Sequence, residues 1–274
     1  MRCSFVHRLD LDMDIFAETL SKLDSAFRQL EAQVRSPIRV NKRGGFVFRY
    51  ETHTPEIVVV QKLSRVLTGL RATLALLERG LYQEVGVMFR MLDEFREDIS
   101  FMCDAVRNGN TSDLQKQFIE DFFQEEFDAD NPFKATQSRR RVPRRKIQAM
   151  LARTIQQEPL NPSDSQEIFR TIANTNSGYV HGTSEHILDM CTGNPPRYRL
   201  DGMLGTHLQQ TFEKTAQDYF YRAILSFNEA ALSFQQTDLD RNLDQHKRMF
   251  EQLIGIPDLQ SAKELIRLDR RRKK

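Results

Sequence analysis

The chain of 274 residues carries a net charge of +2, with 39% hydrophobic and 28% charged residues. That composition belongs to a soluble globular chain and excludes an intrinsically disordered one. A compact chain of this length buries roughly 70–75% of the surface its unfolded form exposes, so its core needs neither disulfides nor metal. Nineteen Phe and no Trp make Phe the main source of aromatic core volume. Cys3, Cys103 and Cys191 stand far apart without a CxxC pair, which argues against a disulfide framework or a zinc ribbon and for reduced thiols in the cytoplasm. The first residues, MRCSFVHRLDLDMD, acquire charge too early for a signal peptide, and no run of about 18 apolar residues predicts a membrane span.

In chain order, Phe16, Leu20, Leu23, Phe27, Leu30 and Val34 step by 4, 3, 4, 3, 4 and predict a helix over 12–34. Pro37 and the Lys42-Arg43-Gly44-Gly45 turn break it, and Phe46 to Tyr50 has strand composition, so a small β-hairpin is expected near residues 38–52. Pro55 opens a second helix, whose apolar stripe from Ile57 to Leu77 stops at Gly80. The third helix starts near Leu81, with Val85, Met88, Leu92, Phe95, Ile99, Met102 and Val106 on its seam. So short a connection makes residues 56–107 an antiparallel αα-hairpin.

A Phe-rich acidic helix follows from Ser112 to about Phe127, then a helix over about 143–157 and a short one from Ser163 to Ala173. After the stretch NSGYVHGTSEH (176–186), helix is expected to about Cys191, an exposed loop over 192–203, and a long helix over 204–235. Two C-terminal helical segments, broken by Gly255 and Pro257, end in a basic tail at 267–274. With no internal repeat and no linker, residues 1–266 read as one all-α bundle with an appended tail.

The near-neutral total hides segregated charge. Residues 139–146, RRRVPRRK, carry six basic side chains in eight, as does the tail RLDRRRKK, whereas 119–130 carries six acidic ones. Arg139, Arg140, Arg141, Arg144, Arg145 and Lys146 are therefore candidates for polyanion contact. No aromatic residue interleaves with them, which points to phosphate contact rather than base stacking. A solvated charge cluster, or pairing with the acidic stretch, is the competing reading.

Arg90 and Glu94 stand at i and i+4 on the third helix, either as a surface salt bridge or as a pair reaching into a neighbouring cleft. His181 and His186 are five residues apart, about 140° around a helix, so they do not make the HExxH zinc arrangement, and no metal is expected. If helix runs through Gly182, Glu185 falls one turn after His181 and orients it as a general acid or base. Ser177 and Gly178 suit a helix start, where free N–H groups face a phosphate. The alternative is a packed turn with His181 as an interior, hydrogen-bonded histidine. There is no GxxxxGK[ST] and no GxGxxG, which disfavours ATP, GTP and dinucleotide enzymes; no cofactor is expected.

LLERGLYQEVGVMFRMLDEFREDISFM (76–102), with its Arg90-x3-Glu94 pair, and the later Tyr179-Val180-His181-Gly182 resemble a family of uncharacterised bacterial all-helical proteins. That family is similar to the wider HEPN superfamily (higher eukaryotes and prokaryotes nucleotide-binding), over about residues 56–107 and 165–191. The resemblance implies a helical bundle, often a homodimer, frequent in bacterial toxin and antiphage systems and sometimes paired with an operon-encoded partner protein. Active members are metal-independent ribonucleases with an Arg-x4-6-His motif near a helix start.

Here that arginine would fall at 174–176, which are Asn174, Thr175 and Asn176; Asn176 fits the common polar pattern but the arginine is missing, and Arg170 is too far back. The resemblance therefore leaves Arg90 to supply the phosphate-neutralising charge, held by Glu94, with His181 as acid or base and Glu185 orienting it. The expected function is binding or cleavage of RNA in the cytoplasm, away from membranes. The competing expectation is a non-catalytic interaction module built on the seams at 16–34 and 85–106, with His181 structural.

Overall fold

The computed structural model describes residues 3–42, 44–129, 131–136, 138, 141–154 and 175–255. The helix expected over 163–173, Arg139 and Arg140, and everything after Gly255 including the basic tail lie outside the described residues.

The fold is all-α with a small antiparallel hairpin. Helix α1 (Cys3–Glu31) leads into strands β1 (Ile38–Lys42) and β2 (Gly45–Arg49), paired from Ile38 with Arg49 to Lys42 with Gly45. Helices α2 (Pro55–Leu77) and α3 (Tyr82–Asn108) form the expected αα-hairpin. Then come α4 (Asp113–Phe123), one 3-10 turn (Pro132–Lys134) and α5 (Arg144–Thr154). Two five-residue helices, α6 (Ser177–His181) and α7 (Ser184–Leu188), precede a two-residue hairpin, β3 (Cys191–Thr192) and β4 (Arg197–Tyr198). Helices α8 (Leu208–Ser233) and α9 (Thr237–Ile254) complete the described chain. No helix among the described residues is long and apolar enough to cross a membrane.

Local chemistry sets the boundaries. The Thr54 hydroxyl accepts from the Ile57 N–H at 3.4 Å, and Pro55 occupies the first turn, where its missing N–H costs nothing. Ser112 and Gln115 make a reciprocal capping box on α4. Gly80, at φ +68°, allows the tight α2–α3 turn, and its carbonyl accepts from the Met203 N–H at 2.8 Å. The 199–205 loop is thereby tied back onto the hairpin. The stretch expected as an exposed loop over 192–203 is largely exposed, and forms partly a small hairpin and partly a strap.

The core forms where α3 packs between α2 and α8, with α1 and α9 against α8. Phe89, Phe101, Phe220, Phe227 and Phe250 are fully buried, so Phe does carry the aromatic volume. Phe89 stacks on Tyr219 at 4.1 Å between centroids and Phe16 on Phe220 at 4.3 Å.

Helix α9 is pinned to α1 by a 3.0 Å hydrogen bond between the Thr19 hydroxyl and His246 Nε2. His246 is buried, its Nδ1 has no partner among the described residues, and burial holds its pKa below the usual histidine value. Its folded-state pKa therefore lies below that of the unfolded chain. Its contribution is fully present above the ordinary histidine range and is lost as pH falls from there through the lowered folded value. Thermal melts from pH 7.5 to 5 should show a falling midpoint, with a shallower slope in His246→Gln; parallel slopes would show that His246 is not the titrating group.

Candidate functional site

Helix α3 carries Arg90, Asp93, Glu94, Arg96, Glu97 and Asp98 within nine residues, in a helix buried nearly all round. Ionised groups placed there must find partners or neutralise. Three sides of the helix supply them. From α5, Arg144 reaches Asp98 at 2.5 Å and both Glu94 and Glu97 at 3.5 Å, while Gln148 donates to Glu97 at 2.9 Å. From α2, Lys62 meets Asp98 at 2.7 Å. Arg90 pairs with Glu94 at 2.8 Å, leaving its buried Nη1 without a hydrogen-bond partner among the described residues.

On the α8 side, Asp93 accepts from Arg222 at 2.8 Å and from the Tyr219 hydroxyl at 2.8 Å. Asn176, at the entrance to α6, donates to that hydroxyl at 2.7 Å and to Asp93 at 3.4 Å. Burial raises the pKa of Asp93 above the usual aspartate range, against the opposing pull of Arg222, Tyr219 and Asn176. Burial likewise raises Glu97, against Gln148 and Arg144, and raises the Tyr219 phenol, with Asp93 adding to it.

The NSGYVHGTSEH stretch is two helices. Gly182, at φ +58°, ends α6 in the left-handed conformation, and Thr183 starts α7 afresh. The continuous helix that would stack Glu185 one turn after His181 does not form. The anchor of the stretch is Tyr179, whose ring lies flat against the Cβ-less face of Gly86 on α3 and edge-on to His186 at 4.2 Å. His186 in turn fills the space above Gly178, takes a 2.8 Å hydrogen bond with the Thr183 hydroxyl, and offers its carbonyl to Gln83 at 2.6 Å. His181 is exposed and has no side-chain hydrogen bond or ion pair among the described residues, and Glu185 is exposed too. His181 is thus not the interior, hydrogen-bonded histidine of the packed-turn alternative; His186 is the residue that packs.

The basic run divides by direction. Arg144 turns inward to the α3 carboxylates, whereas Arg141, Arg145 and Lys146 are exposed and make no side-chain hydrogen bond or ion pair among the described residues. In the acidic stretch, Glu125 is bound by Arg49 and Lys42 of the β1–β2 hairpin, which hold its pKa down to about 2. Between α2, α3, α4 and α5 lies an open cleft of about 530 Å³, walled by Phe118 and Phe122 and edged by Lys62, Glu94, Arg141 and Arg144. Among the described residues no three His, Cys, Asp or Glu side chains converge on a common metal position.

Of the sequence candidates, Arg90, Glu94 and Arg144 are joined directly, Arg141 lines the same cleft, and Asn176 docks on α3 one turn away through Asp93. No hydrogen bond or ion pair joins His181 to Arg90 or to Glu185 among the described residues. Sequence reasoning missed Asp93, Glu97, Asp98, Tyr219 and Arg222. The signal was present as four carboxylates in six positions of a helix with apolar residues on every side. Comparison with protein-family models, curated proteins and solved structures finds no match to this chain.

Proposed function

We propose that this chain is an HEPN-like helical protein that binds RNA and, in its active form, cleaves it without metal, as a bacterial defence or toxin effector would. The observation that supports this reading best is the set of unpaired cations at the start of α5. Arg141, Arg145 and Lys146 have no carboxylate partner among the described residues, and the first turn of α5 has no acidic residue. Cations at the positive end of a helix dipole are unfavourable by about 0.3–1 kcal/mol each. A phosphate backbone relieves that cost and meets the free N–H groups of the same turn.

In the cleavage step, the imidazole of His181 takes the proton of an RNA 2′-hydroxyl. The oxygen attacks the adjacent phosphorus and the bond to the 5′-oxygen breaks. A 2′,3′-cyclic phosphate and, after protonation from water, a 5′-hydroxyl remain. Arg90 neutralises the phosphate charge, Glu94 holds Arg90, Asn176 fixes the entrance of α6 to α3, and Glu185 swings to His181 when RNA is bound. His181 is exposed and, among the described residues, free of side-chain partners, as a residue receiving an external proton must be. The second copy of the site comes from a homodimer.

The test uses total RNA and mixed tRNA with EDTA present. Cleavage giving 2′,3′-cyclic ends should fall about 10²–10⁴-fold in His181→Ala. Changing Arg141, Arg145 and Lys146 together to Glu should weaken binding and reduce the log–log salt slope by about 3. Cleavage unchanged in His181→Ala sinks the catalytic assignment. One observation favours a second reading, a non-catalytic interaction module: Glu94 is shared between Arg90 and Arg144, so Arg90 is already neutralised. Folded wild type without RNA binding or cleavage, but dimeric in sedimentation, would select that module.

A further inference from the structure

The basic run at 139–146 has no aromatic residue among its cations; the β1–β2 hairpin has. From Ala32 to Tyr50 the chain carries five cations, Arg35, Arg39, Lys42, Arg43 and Arg49, with Phe46 and Phe48 beside them and no Asp or Glu. The register sorts these side chains onto two faces, because cross-strand partners share a face and successive residues alternate. Lys42 and Arg49 fall on one face, and Arg39, Asn41, Phe46 and Phe48 on the other. Lys42 and Arg49 both hold Glu125, just past the end of α4, which ties the hairpin to the bundle. The Phe face has no such duty. Phe46 is 47% and Phe48 58% exposed, and neither belongs to the core or to the side chains packed against it. Their rings stand 5.5 Å apart at 83°, so they offer separate faces rather than one flat patch. Arg39, paired opposite Phe48, carries its guanidinium over the Phe46 ring at 3.9 Å. Neither Arg39 nor Arg35 has a carboxylate partner among the described residues.

Exposed rings along one strand beside unpaired cations match the needs of an unpaired nucleic-acid strand: every base has a π-face to stack, and every phosphate a charge to neutralise. We infer that the Phe46–Phe48 face of the β1–β2 hairpin binds single-stranded RNA, with neighbouring bases stacked on the two rings and phosphates on Arg39 and Arg35. Duplex RNA keeps its bases inside and gives these rings nothing to stack on. A second copy of the chain is a poor occupant, because face-to-face pairing sets Arg39 near Arg39 with no carboxylate on either side. A membrane is a poor one too, since the hairpin tip, Lys42-Arg43-Gly44-Gly45, is charged and has no apolar side chain to insert. This site goes beyond the proposal for α5 and rests on it only for RNA as the polymer; neither the α5 cations nor cleavage enters.

The chain has no Trp, so Phe48→Trp in the full chain places a single fluorophore on this face. Its emission should be quenched by an oligouridylate of about ten nucleotides at fixed ionic strength, and not by the same strand paired with oligoadenylate. In anisotropy titrations with end-labelled oligouridylate, Phe46→Ala and Phe48→Ala should each weaken binding about 5-fold or more. Phe48→Leu, which keeps apolar surface without a π-face, should lose as much as Phe48→Ala. Both rings lie outside the core, so the variants should melt as wild type does. The triple change of Arg141, Arg145 and Lys146 to Glu should leave the preference for single strand over duplex intact. RNA bound equally by wild type and both Ala variants overturns the hairpin site and leaves the α5 reading standing. Quenching that survives the triple change, with no cleavage, supports the hairpin and removes the α5 reading. Binding kept in Phe48→Leu but lost in Phe48→Ala identifies apolar docking and overturns stacking. Phosphatidylserine vesicles bound in place of RNA, or a dimer that Phe48→Ala dissociates without changing RNA binding, overturns the site as well.

Discussion

Asp93→Ala is expected to lower the unfolding free energy by about 3–5 kcal/mol, the range for removing one partner of a buried ion pair. The carboxylate sits between Arg222, the Tyr219 hydroxyl and Asn176, all within 3.4 Å. Its loss leaves a guanidinium uncompensated and takes away the acceptor for the buried phenol, which by itself costs about 1–3 kcal/mol. The change also releases the entrance of α6, because Asn176 hydrogen-bonds Asp93 of α3 and the Tyr219 hydroxyl of α8. Urea unfolding should show a lower midpoint at unchanged slope. Asp93→Ala combined with Arg222→Met should recover part of the loss, since no charge is then stranded; additive losses would show that the pair does not act as a unit. The carboxyl also leaves a mark on the pH profile. Its folded pKa is raised, so the folded chain holds that proton more tightly than the unfolded chain. Stability from this group therefore falls as pH rises from the ordinary aspartate value through the raised folded one. Asp93→Asn should remove that fall.

The contrast between Asp93 and the helices around it shows what the sequence could convey. Helix existence and order were legible, because the apolar steps of 3 and 4 in α1, α2 and α3 are repeated over several turns. The αα-hairpin followed from the short connection at Gly80. What the seam from Val85 to Val106 could not convey is that α3 has a second buried side. Phe89, Phe101 and Cys103 lie off that seam and are buried, Phe89 against Phe212 and Tyr219 of α8 and Phe101 against Phe118 of α4, which no local pattern announces. Arg90 and Glu94 were found because they sit at helical spacing. Their link to Arg144 is a contact 50 residues away along the chain. The continuation of helix through Gly182 failed for a local reason. A glycine there permits either outcome, and the left-handed turn won because it lets Tyr179 and His186 both fold back onto α3.

Gly86→Ala should cost about 1–3 kcal/mol, although alanine is the better helix former by roughly 1 kcal/mol. A Cβ at position 86 would overlap the ring of Tyr179, with the Tyr179 Cδ1 no further than 2.9 Å away. The obstacle is a whole ring wedged between α3, His186 and Phe212, so it cannot swing aside as a long side-chain tip would. The sign of the effect identifies the cause. In a Tyr179→Ala background the space above position 86 is empty, and the same Gly86→Ala change should stabilise by roughly 0.5–1 kcal/mol through helix propensity alone. Denaturant midpoints of the four proteins in this cycle give the coupling directly. A destabilising Gly86→Ala in both backgrounds would mean that something other than Tyr179 excludes the methyl group. The cycle also bears on the proposed RNA cleavage, because α6 ends in His181 only two residues beyond Tyr179. If His181 is the acid–base residue, Gly86→Ala should lower cleavage while leaving Arg141, Arg145 and Lys146 free to bind RNA, separating the position of the imidazole from the affinity of the basic surface.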